Sequence, residues 1–359
     1  MPQPTDTDSI REPFRLWLAA LWPDVEDLEI GDFGGAATGY SAQTLIVPVS
    51  YKRDGSRVDD KVVLRIENQG PPIYPPQTPE LNVEIDIQYR AMQAVGGACK
   101  IPLAPLLAYE GDASILGAPF FVMGFIEGEV PVLEPLYTQA GFFFDGTPAE
   151  RRHMIEAGIG VMAEIHTVDW QRAGLDWLVP TGVTPGTLQQ IDVWERYLRA
   201  ALGRRENPVT DKALTWLRAN LPSEEEITLS WGDARPGNII WQNFEPACIT
   251  DWENVSIATP LLDLGWWLMF DRTCHDTVGA ERLPGEPSLD EQRDYYAKIT
   301  GRDVRNVDYY VLLAAVRYVG IITRMMNLYV EQGKLPADQT IWINNPPQMI
   351  ATELVERLI

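Results

Sequence analysis

Asp233 and Asn238 are five positions apart in the segment SWGDARPGNII, which runs directly into an apolar stretch. A carboxylate can orient and deprotonate a nucleophile, and an amide carbonyl supplies a hard oxygen to a metal ion. Phosphoryl transfer needs both, and Arg235 on the same loop could lie against the transferring phosphate and offset its charge. The spacing alone is a weak signal, because Asp and Asn also cap ordinary turns.

A second carboxylate follows the loop in a predicted hairpin. NIIW and CITDWE are typical of two short strands around a turn, with Asp251 at the end of the second strand. Asp251 could meet the loop across the hairpin and complete a metal site with Asn238. Glu253 follows two residues later, which in a strand is the same side. The alternative is that Asp251 only caps the turn after the strand.

The first third of the chain contains features that a nucleotide would need. A loop rich in Gly and small residues, GGAATGYS, lies between two predicted strands and could cover phosphates with its backbone N–H groups; it includes Gly39, Tyr40 and Ser41. Arg65 lies near the end of the third strand, where protein kinases have a phosphate-pairing Lys. An ordinary flexible hairpin and a solvated strand residue are the alternatives. The stretch FFVMGFIEGE, with Met123 and Phe125, is a predicted hinge whose backbone groups could bind an adenine edge.

Hydrophobic periodicity indicates which elements position these residues. Residues 10–22 have helical spacing, three strands follow, and a helical segment runs from Leu81 to about Val95 before two more strands. Most of the chain after Gly128 has helical patterns. The fold class is therefore α+β: residues 1–124 form a small, mainly antiparallel sheet with one helix, residues 125–128 the hinge, and residues 129–359 a larger, mostly helical lobe.

Composition and charge exclude several classes of function. The net charge of −22 repels nucleic acid and anionic membranes, so we expect neither as a partner. Three scattered cysteines indicate a reducing compartment, and the N-terminal residues do not have the pattern of a signal peptide, so we expect a cytoplasmic protein. The late apolar stretch VLLAAVRYVGIITRMM contains Arg317 and Arg324 and is predicted to be a core helix too short to span a bilayer.

Other stretches resemble functional motifs, but their sequence context does not support a functional role. GIGVMA imitates a dinucleotide fingerprint but lies inside a helical pattern with no preceding strand. His166 is predicted to be a hydrogen-bonded core histidine rather than a general base. Cys274 and His275 are adjacent, which is the wrong spacing for two metal ligands on one helix.

Taken in order along nearly the whole chain, these features resemble the aminoglycoside phosphotransferase family, whose members have a two-lobed, protein-kinase-like fold. The matching segments are GYSAQT, VVLRIE, IQYRAMQAV, LGAPFFVMGFIEGEV, AEIHTVDW, WGDARPGN and ITDWENVSIATPLLDLGWW. The likeness is greatest to a branch that includes actinobacterial phosphotransferases and the kinase-like segment beside some acyl-CoA dehydrogenases.

The resemblance implies that Asp233 is the catalytic base, that Asn238 and Asp251 bind Mg²⁺, and that Arg65 contacts the nucleotide phosphates. Three positions differ from the family pattern. Trp231 replaces a usual His that packs beneath the loop, and Arg65 replaces a Lys but can still pair with phosphate. Gln88 aligns with the helix Glu that anchors this cation, and Glu84, one turn earlier, could substitute for it.

The sequence thus predicts an ATP- and Mg²⁺-dependent phosphotransferase acting on a hydroxyl of a small molecule. A cationic aminosugar fits the family and the acidic charge of the chain. A hydroxyacyl compound or another small metabolite is the alternative acceptor, and a non-catalytic nucleotide-binding relative is the alternative class. The sequence does not indicate an oligomeric state.

Overall fold

The structure of the chain is a computed structural model, which describes residues 7–34, 42–68, 70, 72–78, 80, 81, 83–223 and 226–359. The chain divides into two compact units that are not continuous in sequence. The first comprises residues 1–73, 81–93 and 103–126, and the second comprises residues 74–80, 94–102 and 127–359. The segments 74–80 and 94–102 are therefore grouped with the second unit although they precede the predicted hinge.

The first unit is built on a five-stranded antiparallel sheet with the strand order β1-β2-β3-β5-β4. Its strands are β1 (Glu26–Ile30), β2 (Ala42–Arg53), β3 (Ser56–Glu67), β4 (Leu106–Glu110) and β5 (Phe120–Gly124). Helix α1 (Thr7–Leu21) precedes the sheet and packs on β1, and α2 (Glu84–Ala98) follows β3. The predicted mixed α+β class and the antiparallel sheet are confirmed, in the predicted order of elements.

The long β2–β3 hairpin shows why this part of the chain forms a sheet. Its turn is Asp54-Gly55, and both residues have positive φ, of 52° and 74°, as a two-residue hairpin turn requires. From Val62 to Ile66, β3 is apolar except for Arg65 and is buried between β2 and β5. β-Branched and apolar residues on both faces suit a central strand.

The second unit is mostly helical. Its helices are α3 (Phe142–Asp145), α4 (Pro148–Ile165), α5 (Thr187–Leu202), α6 (Pro208–Ala219), α7 (Leu261–Cys274), α8 (Leu289–Thr300), α9 (Val307–Glu331) and α10 (Pro346–Leu358). Two small antiparallel pairs interrupt the helices: β6 (Thr228–Ser230) with β9 (Ser256–Ala258), and β7 (Ile239–Gln242) with β8 (Glu245–Ile249). The GIGVMA stretch lies inside α4, so it is not a nucleotide-binding turn.

Helix α9 is longer than its sequence suggested. It has 25 residues, and among the described helices it alone is long and apolar enough to cross a membrane. The prediction that this helix is too short to span a bilayer was therefore wrong, because the helix extends beyond the apolar stretch at both ends. Two thirds of its most apolar window (67%) is buried against α5, α7 and α10, as in the core helix of a helical domain.

Candidate active site

The loop that carries Asp233 joins β6 to β7 and contains a short 3₁₀ turn at Pro236–Asn238. Gly232 has a φ of +92°, and a Cβ at this position would lie 1.9 Å from the carbonyl oxygen of Asn254. Only glycine fits both requirements. The chain can therefore turn sharply before Asp233, whose side chain is 5% exposed.

Asp263 on α7 holds the backbone of this loop. Its Oδ1 accepts hydrogen bonds from the Gly232 amide and the Ser230 hydroxyl, both at 2.8 Å, and its Oδ2 accepts the Trp231 amide at 2.7 Å. Burial alone would raise the pKa of Asp263, but these bonds and the one with His166 hold it below its ordinary value. Asp263 is thus an ionised carboxylate that fixes three consecutive residues before Asp233.

His166 supports Asp263 from behind. Its Nε2 lies 3.0 Å from Oδ2 of Asp263 and its Nδ1 lies 2.8 Å from the hydroxyl of Tyr296. The imidazole is buried and both of its nitrogens have partners, so the prediction of a hydrogen-bonded core histidine is confirmed. In addition, the contact with Asp263 links this histidine to the loop.

Hydrogen bonds tie the Asp233 loop to the segment that carries Asp251. The Thr250 amide and hydroxyl both donate to the Asn238 carbonyl at 2.9 Å, and the Trp231 indole N–H donates to the Thr250 carbonyl at 2.9 Å. Asn254 Nδ2 donates to the Gly232 carbonyl at 3.0 Å. Trp231 is fully buried beneath the loop, as predicted for this position. The structure thereby brings together the three predicted residues Asp233, Asn238 and Asp251.

Asp251 differs from the prediction in its backbone. Strand β8 ends at Ile249, so Asp251 lies beyond the strand, and its φ of +56° is in the left-handed region. The argument that Glu253 shares a strand face with Asp251 was therefore wrong, because residues 253 and 254 are in a turn. A non-glycine residue in this conformation is strained, and such strain concentrates at functional sites.

The carboxylate of Asp233 has several close neighbours. Its Oδ1 accepts the Trp266 indole N–H at 2.7 Å, and Arg235 Nε lies 3.2 Å from Oδ1 and 3.4 Å from Oδ2. The Tyr74 hydroxyl lies 3.4 Å from Oδ2. Although burial opposes it, the carboxylates Asp233 and Asp251 raise the pKa of Arg235 above its ordinary value. Trp266 and Tyr74 were not predicted as neighbours of Asp233.

The two polar atoms of the Asn238 side-chain amide differ in their hydrogen bonding. Its Nδ2 donates to the backbone carbonyl of Asp233 at 2.9 Å. Its Oδ1 is buried and has no hydrogen-bond partner among the residues that the structure describes. A buried amide oxygen without a partner costs free energy, so it is a suitable ligand for a hard cation.

Arg317 on α9 lies behind the loop, fully buried between two indoles. Its guanidinium carbon is 4.6 Å from the ring centroids of both Trp194 and Trp266, and its Nη2 donates to the Gly232 carbonyl at 3.1 Å. Burial lowers the pKa of Arg317 to about 10, although the neighbouring Asp263 and Asp233 oppose this shift. Cation–π contacts with both indoles keep the guanidinium in place.

The predicted nucleotide residues of the first unit lie on or beside its sheet. Arg65 is buried on β3, which excludes the alternative of a solvated strand residue. Val63 pairs with Met123 across β3 and β5, so Arg65 and Met123 point to the same face of the sheet. Phe125 follows β5, and the Lys61 ammonium lies 4.8 Å from its ring. Gly39, Tyr40 and Ser41 lie outside the described residues.

The start of α2 depends on the carboxylate of Glu67, which was not among the predicted site residues. Glu67 at the end of β3 accepts the amides of Glu84 and Ile85 at 3.2 and 3.0 Å. Burial raises the pKa of Glu67, while these amides and the nearby Arg65 lower it, and the net shift is upward. Glu84 and Gln88 are both buried, and which of them anchors Arg65 stays a prediction.

A separate buried cluster at the end of α7 consists of Asp271, His275 and Glu286. One potential ligand atom of each residue lies within 4.8 Å of the others, which is close enough to hold a metal ion. His275 Nδ1 donates to the Asp271 carbonyl at 2.8 Å, and His275 Nε2 lies 2.9 Å from Glu286 Oε1. Both oxygens of Asp271 already pair with Arg282. These contacts fit an ion-pair network in which His275 and Arg282 face the carboxylates of Asp271 and Glu286.

The sheet unit and the helical unit, with the Asp-x-x-x-x-Asn loop and a following Asp, define a protein-kinase-like fold of the aminoglycoside phosphotransferase type. Residues 48–297 match the model of the phosphotransferase enzyme family, and the chain belongs to that family.

Similar proteins were found by sequence and by structure. The chain is 26% identical over 295 residues to acyl-CoA dehydrogenase family member 11 of Rattus norvegicus, which covers 78% of this chain and 35% of that protein. It is 29% identical to family member 10 of Mus musculus over 51% of this chain and 16% of that protein. The chain thus spans about a third or less of the length of these relatives.

Among solved structures, a Ralstonia eutropha protein described as an aminoglycoside phosphotransferase has a TM-score of 0.70 at 22% identity and covers 96% of this chain and 98% of its own. An ethanolamine kinase of Plasmodium vivax has a TM-score of 0.55 at 12% identity, covering 94% of this chain and 85% of its own. A thermostable aminoglycoside phosphotransferase variant in complex with ADP and hygromycin B has a TM-score of 0.52 at 13% identity, covering 95% and 97%. At these identities the likeness establishes the fold.

Proposed function

We propose that this chain is an ATP- and Mg²⁺-dependent phosphotransferase that transfers the γ-phosphate to a hydroxyl group of a small molecule. One observation carries the proposal: a buried carboxylate, Asp233, lies on one loop with the amide oxygen of Asn238, which has no partner within the described part of the chain, and hydrogen bonds from Thr250 tie Asp251 to that loop. This combination supplies a base and hard oxygen ligands for a metal, which are the groups that phosphoryl transfer uses.

Asn238 and Asp251 fit the requirements of a magnesium ion. Both offer oxygen atoms, which Mg²⁺ prefers, and the buried Asn238 Oδ1 lacks a partner among the described residues. When bound, Mg²⁺ would offset charge on the nucleotide phosphates. Asp251 is also one of the carboxylates that raise the pKa of Arg235, so it lies near enough to that guanidinium to interact with its charge.

Asp233 would orient the acceptor hydroxyl and receive its proton, while Arg235 would stabilise charge on the transferred group. Arg235 is suitably placed, because its Nε contacts Asp233 and its guanidinium lies 5.3 Å from the Phe270 ring. Arg65 remains a predicted contact of the nucleotide phosphates, and Met123 and Phe125 remain predicted contacts of the adenine ring. Gly39, Tyr40 and Ser41 keep their predicted role in covering the phosphates.

Two acceptor classes are supported by different observations. The net charge of −22 favours a cationic aminosugar, and the solved complex with hygromycin B contains such a molecule in a protein of the same fold. The relatives among acyl-CoA dehydrogenases favour a hydroxyacyl compound instead.

ADP release from MgATP, measured over a panel of hydroxylated acceptors, tests the proposal. The panel comprises aminoglycosides, macrolides, amino alcohols, sugars and hydroxyacyl compounds, with Asp233→Asn as the control. We expect one class to stimulate ADP release and the Asp233→Asn variant to lose most of that stimulation while it still binds MgATP. Binding of MgATP without release for any acceptor would favour a non-catalytic relative, and no binding would contradict the proposal.

A further inference from the structure

The two oxygens of Asp233 are in different environments. Oδ1 accepts the Trp266 indole N–H at 2.7 Å, a short hydrogen bond in which both side chains are buried. Oδ2 lies 3.4 Å from the Tyr74 hydroxyl, and Arg235 Nε reaches both oxygens at 3.2 and 3.4 Å. The indole therefore fixes Oδ1, whereas Oδ2 has the longer contact with the Tyr74 hydroxyl.

Trp266 is itself immobilised by its surroundings. Its ring packs against Phe270 and Tyr318 with centroid distances of 5.3 and 5.7 Å, and the Arg317 guanidinium lies 4.6 Å from its face. Trp266 also lies one helical turn after Asp263, which holds the backbone before Asp233. Helix α7 thus fixes both the backbone and the carboxylate of this loop.

We propose that Trp266 is a positioning residue that holds the Asp233 carboxylate so that Oδ2 receives the proton of the acceptor hydroxyl. This inference rests on the proposed function. In the reaction, the acceptor oxygen forms a bond to the γ-phosphorus of ATP, the bond from that phosphorus to ADP breaks, and the acceptor proton passes to Oδ2. A carboxylate that rotated would present its oxygens poorly, and small errors of position are costly in such steps.

The next residue on α7 provides a matched control. Trp267 is buried to the same degree as Trp266, at 1% exposure, and its indole N–H also donates to a side-chain oxygen, Oε1 of Gln292, at 2.8 Å. Replacing either Trp by Phe removes one indole N–H donor and a similar volume from one helix. The two variants differ in the group that loses its hydrogen bond.

Steady-state kinetics of Trp266→Phe and Trp267→Phe test the role, with the best acceptor of the panel or, failing that, water as acceptor. We expect Trp266→Phe to lower kcat about tenfold or more with KM for MgATP within about twofold, because one short hydrogen bond to a charged group is lost. Trp267→Phe should keep the wild-type kcat. In an Asp233→Ala background, Trp266→Phe should cause no further loss, since its effect acts through Asp233.

Indole N–H resonances of the ¹⁵N-tryptophan-labelled chain test the contact without any turnover. The Trp266 signal, assigned from its absence in Trp266→Phe, should move in Asp233→Ala, whereas the Trp267 signal should not. An unmoved Trp266 signal, or wild-type kcat in Trp266→Phe, overturns the inference. No ADP release by the wild type with any acceptor or with water contradicts the proposed function and the positioning role together, whereas equal losses in both Trp variants contradict the positioning role alone.

Discussion

Asp263 Oδ1 accepts the backbone amide of Gly232 at 2.8 Å, so a carboxylate on α7 fixes the residue directly before Asp233. Asp263 is buried and also accepts the Trp231 amide, so no water can replace these bonds. Asp263→Asn places an NH₂ group among N–H donors and leaves buried groups unpaired.

We expect Asp263→Asn to lower the free energy of unfolding by about 3 kcal/mol, as the loss of a buried charged partner does. Urea denaturation followed by fluorescence measures this change. Asp290→Asn is the control, because its carboxylate is exposed and pairs with Arg293 on the surface, and it should change stability by less than about 0.5 kcal/mol. Equal stability of the two variants would show that Asp263 does not hold the loop.

Substitutions at two glycines, Gly232 and Gly279, can distinguish the cost of backbone strain from the cost of a steric collision. Gly232 and Gly279 both have positive φ, of 92° and 65°, but a Cβ at Gly279 would meet no atom of the described residues within 4 Å. We expect Gly279→Ala to cost about 1 kcal/mol through strain alone. Gly232→Ala should cost several times as much, because its Cβ collides with the Asn254 carbonyl. Thermal unfolding of both variants measures the difference, and similar melting temperatures would contradict this account of the loop.

Asn238 supplies a test of metal binding that does not depend on turnover. We expect Asn238→Ala to weaken Mn²⁺ binding at least about tenfold in the presence of ADP, as measured by electron paramagnetic resonance, because an oxygen ligand is lost. Asn238→Asp keeps that oxygen while it removes the Nδ2 donor to the Asp233 carbonyl. It should therefore bind Mn²⁺ nearly as well as the wild type. If both variants bound equally poorly, the Nδ2 contact rather than a metal bond would be the reason.

His275 gives the stability of the protein a dependence on alkaline pH. Burial alone would lower the pKa of His275, but the carboxylates of Asp271 and Glu286 raise it to about 10. Because the folded-state pKa is above the ordinary value, the stabilisation is complete below about pH 6.5 and is lost as pH rises towards 10. Arg282, the other cation of the cluster, stays charged throughout.

We expect the wild type to lose about 3 kcal/mol of unfolding free energy between pH 7 and 10, and His275→Gln to lose much less. Denaturant titrations at several pH values measure both slopes. Parallel slopes would contradict the protonated state of His275. In the Asn238→Ala variant, in which the proposed Mg²⁺ site has lost a ligand, a chelator should leave the melting temperature at pH 7 unchanged. A clear fall on chelation of this variant would mean that Asp271, His275 and Glu286 hold a metal ion instead.

The sequence was sufficient for the order of strands and helices and for the grouping of Asp233, Asn238 and Asp251. Hydrophobic patterns fix the elements, and residues spaced along one loop and the next hairpin must lie close together. The left-handed backbone of Asp251 was not predictable, because Asp is enriched in this conformation but most Asp residues in a chain lie in other backbone regions.

Asp263 and Trp266 were missed for a different reason. Each acts through a partner about thirty residues away, in a contact that exists only after α7 has packed behind the loop. The available signal was a carboxylate inside the apolar run PLLDLGWW, since a buried Asp needs several donors. Tyr74 was missed because it lies in a Pro-rich connection, where no periodicity indicates a contact.

The hydrogen bonds that Asp263 accepts have a consequence for ligand affinity. The Ser230 hydroxyl and the Trp231 and Gly232 amides are already paired with Asp263, so ligand binding does not have to order these three residues. Conformational entropy that is lost during folding is not lost a second time on binding. More of the intrinsic binding energy is then available to align a nucleotide with its acceptor. The rigidity of this turn is thus a contribution to affinity made by a residue that need touch no ligand.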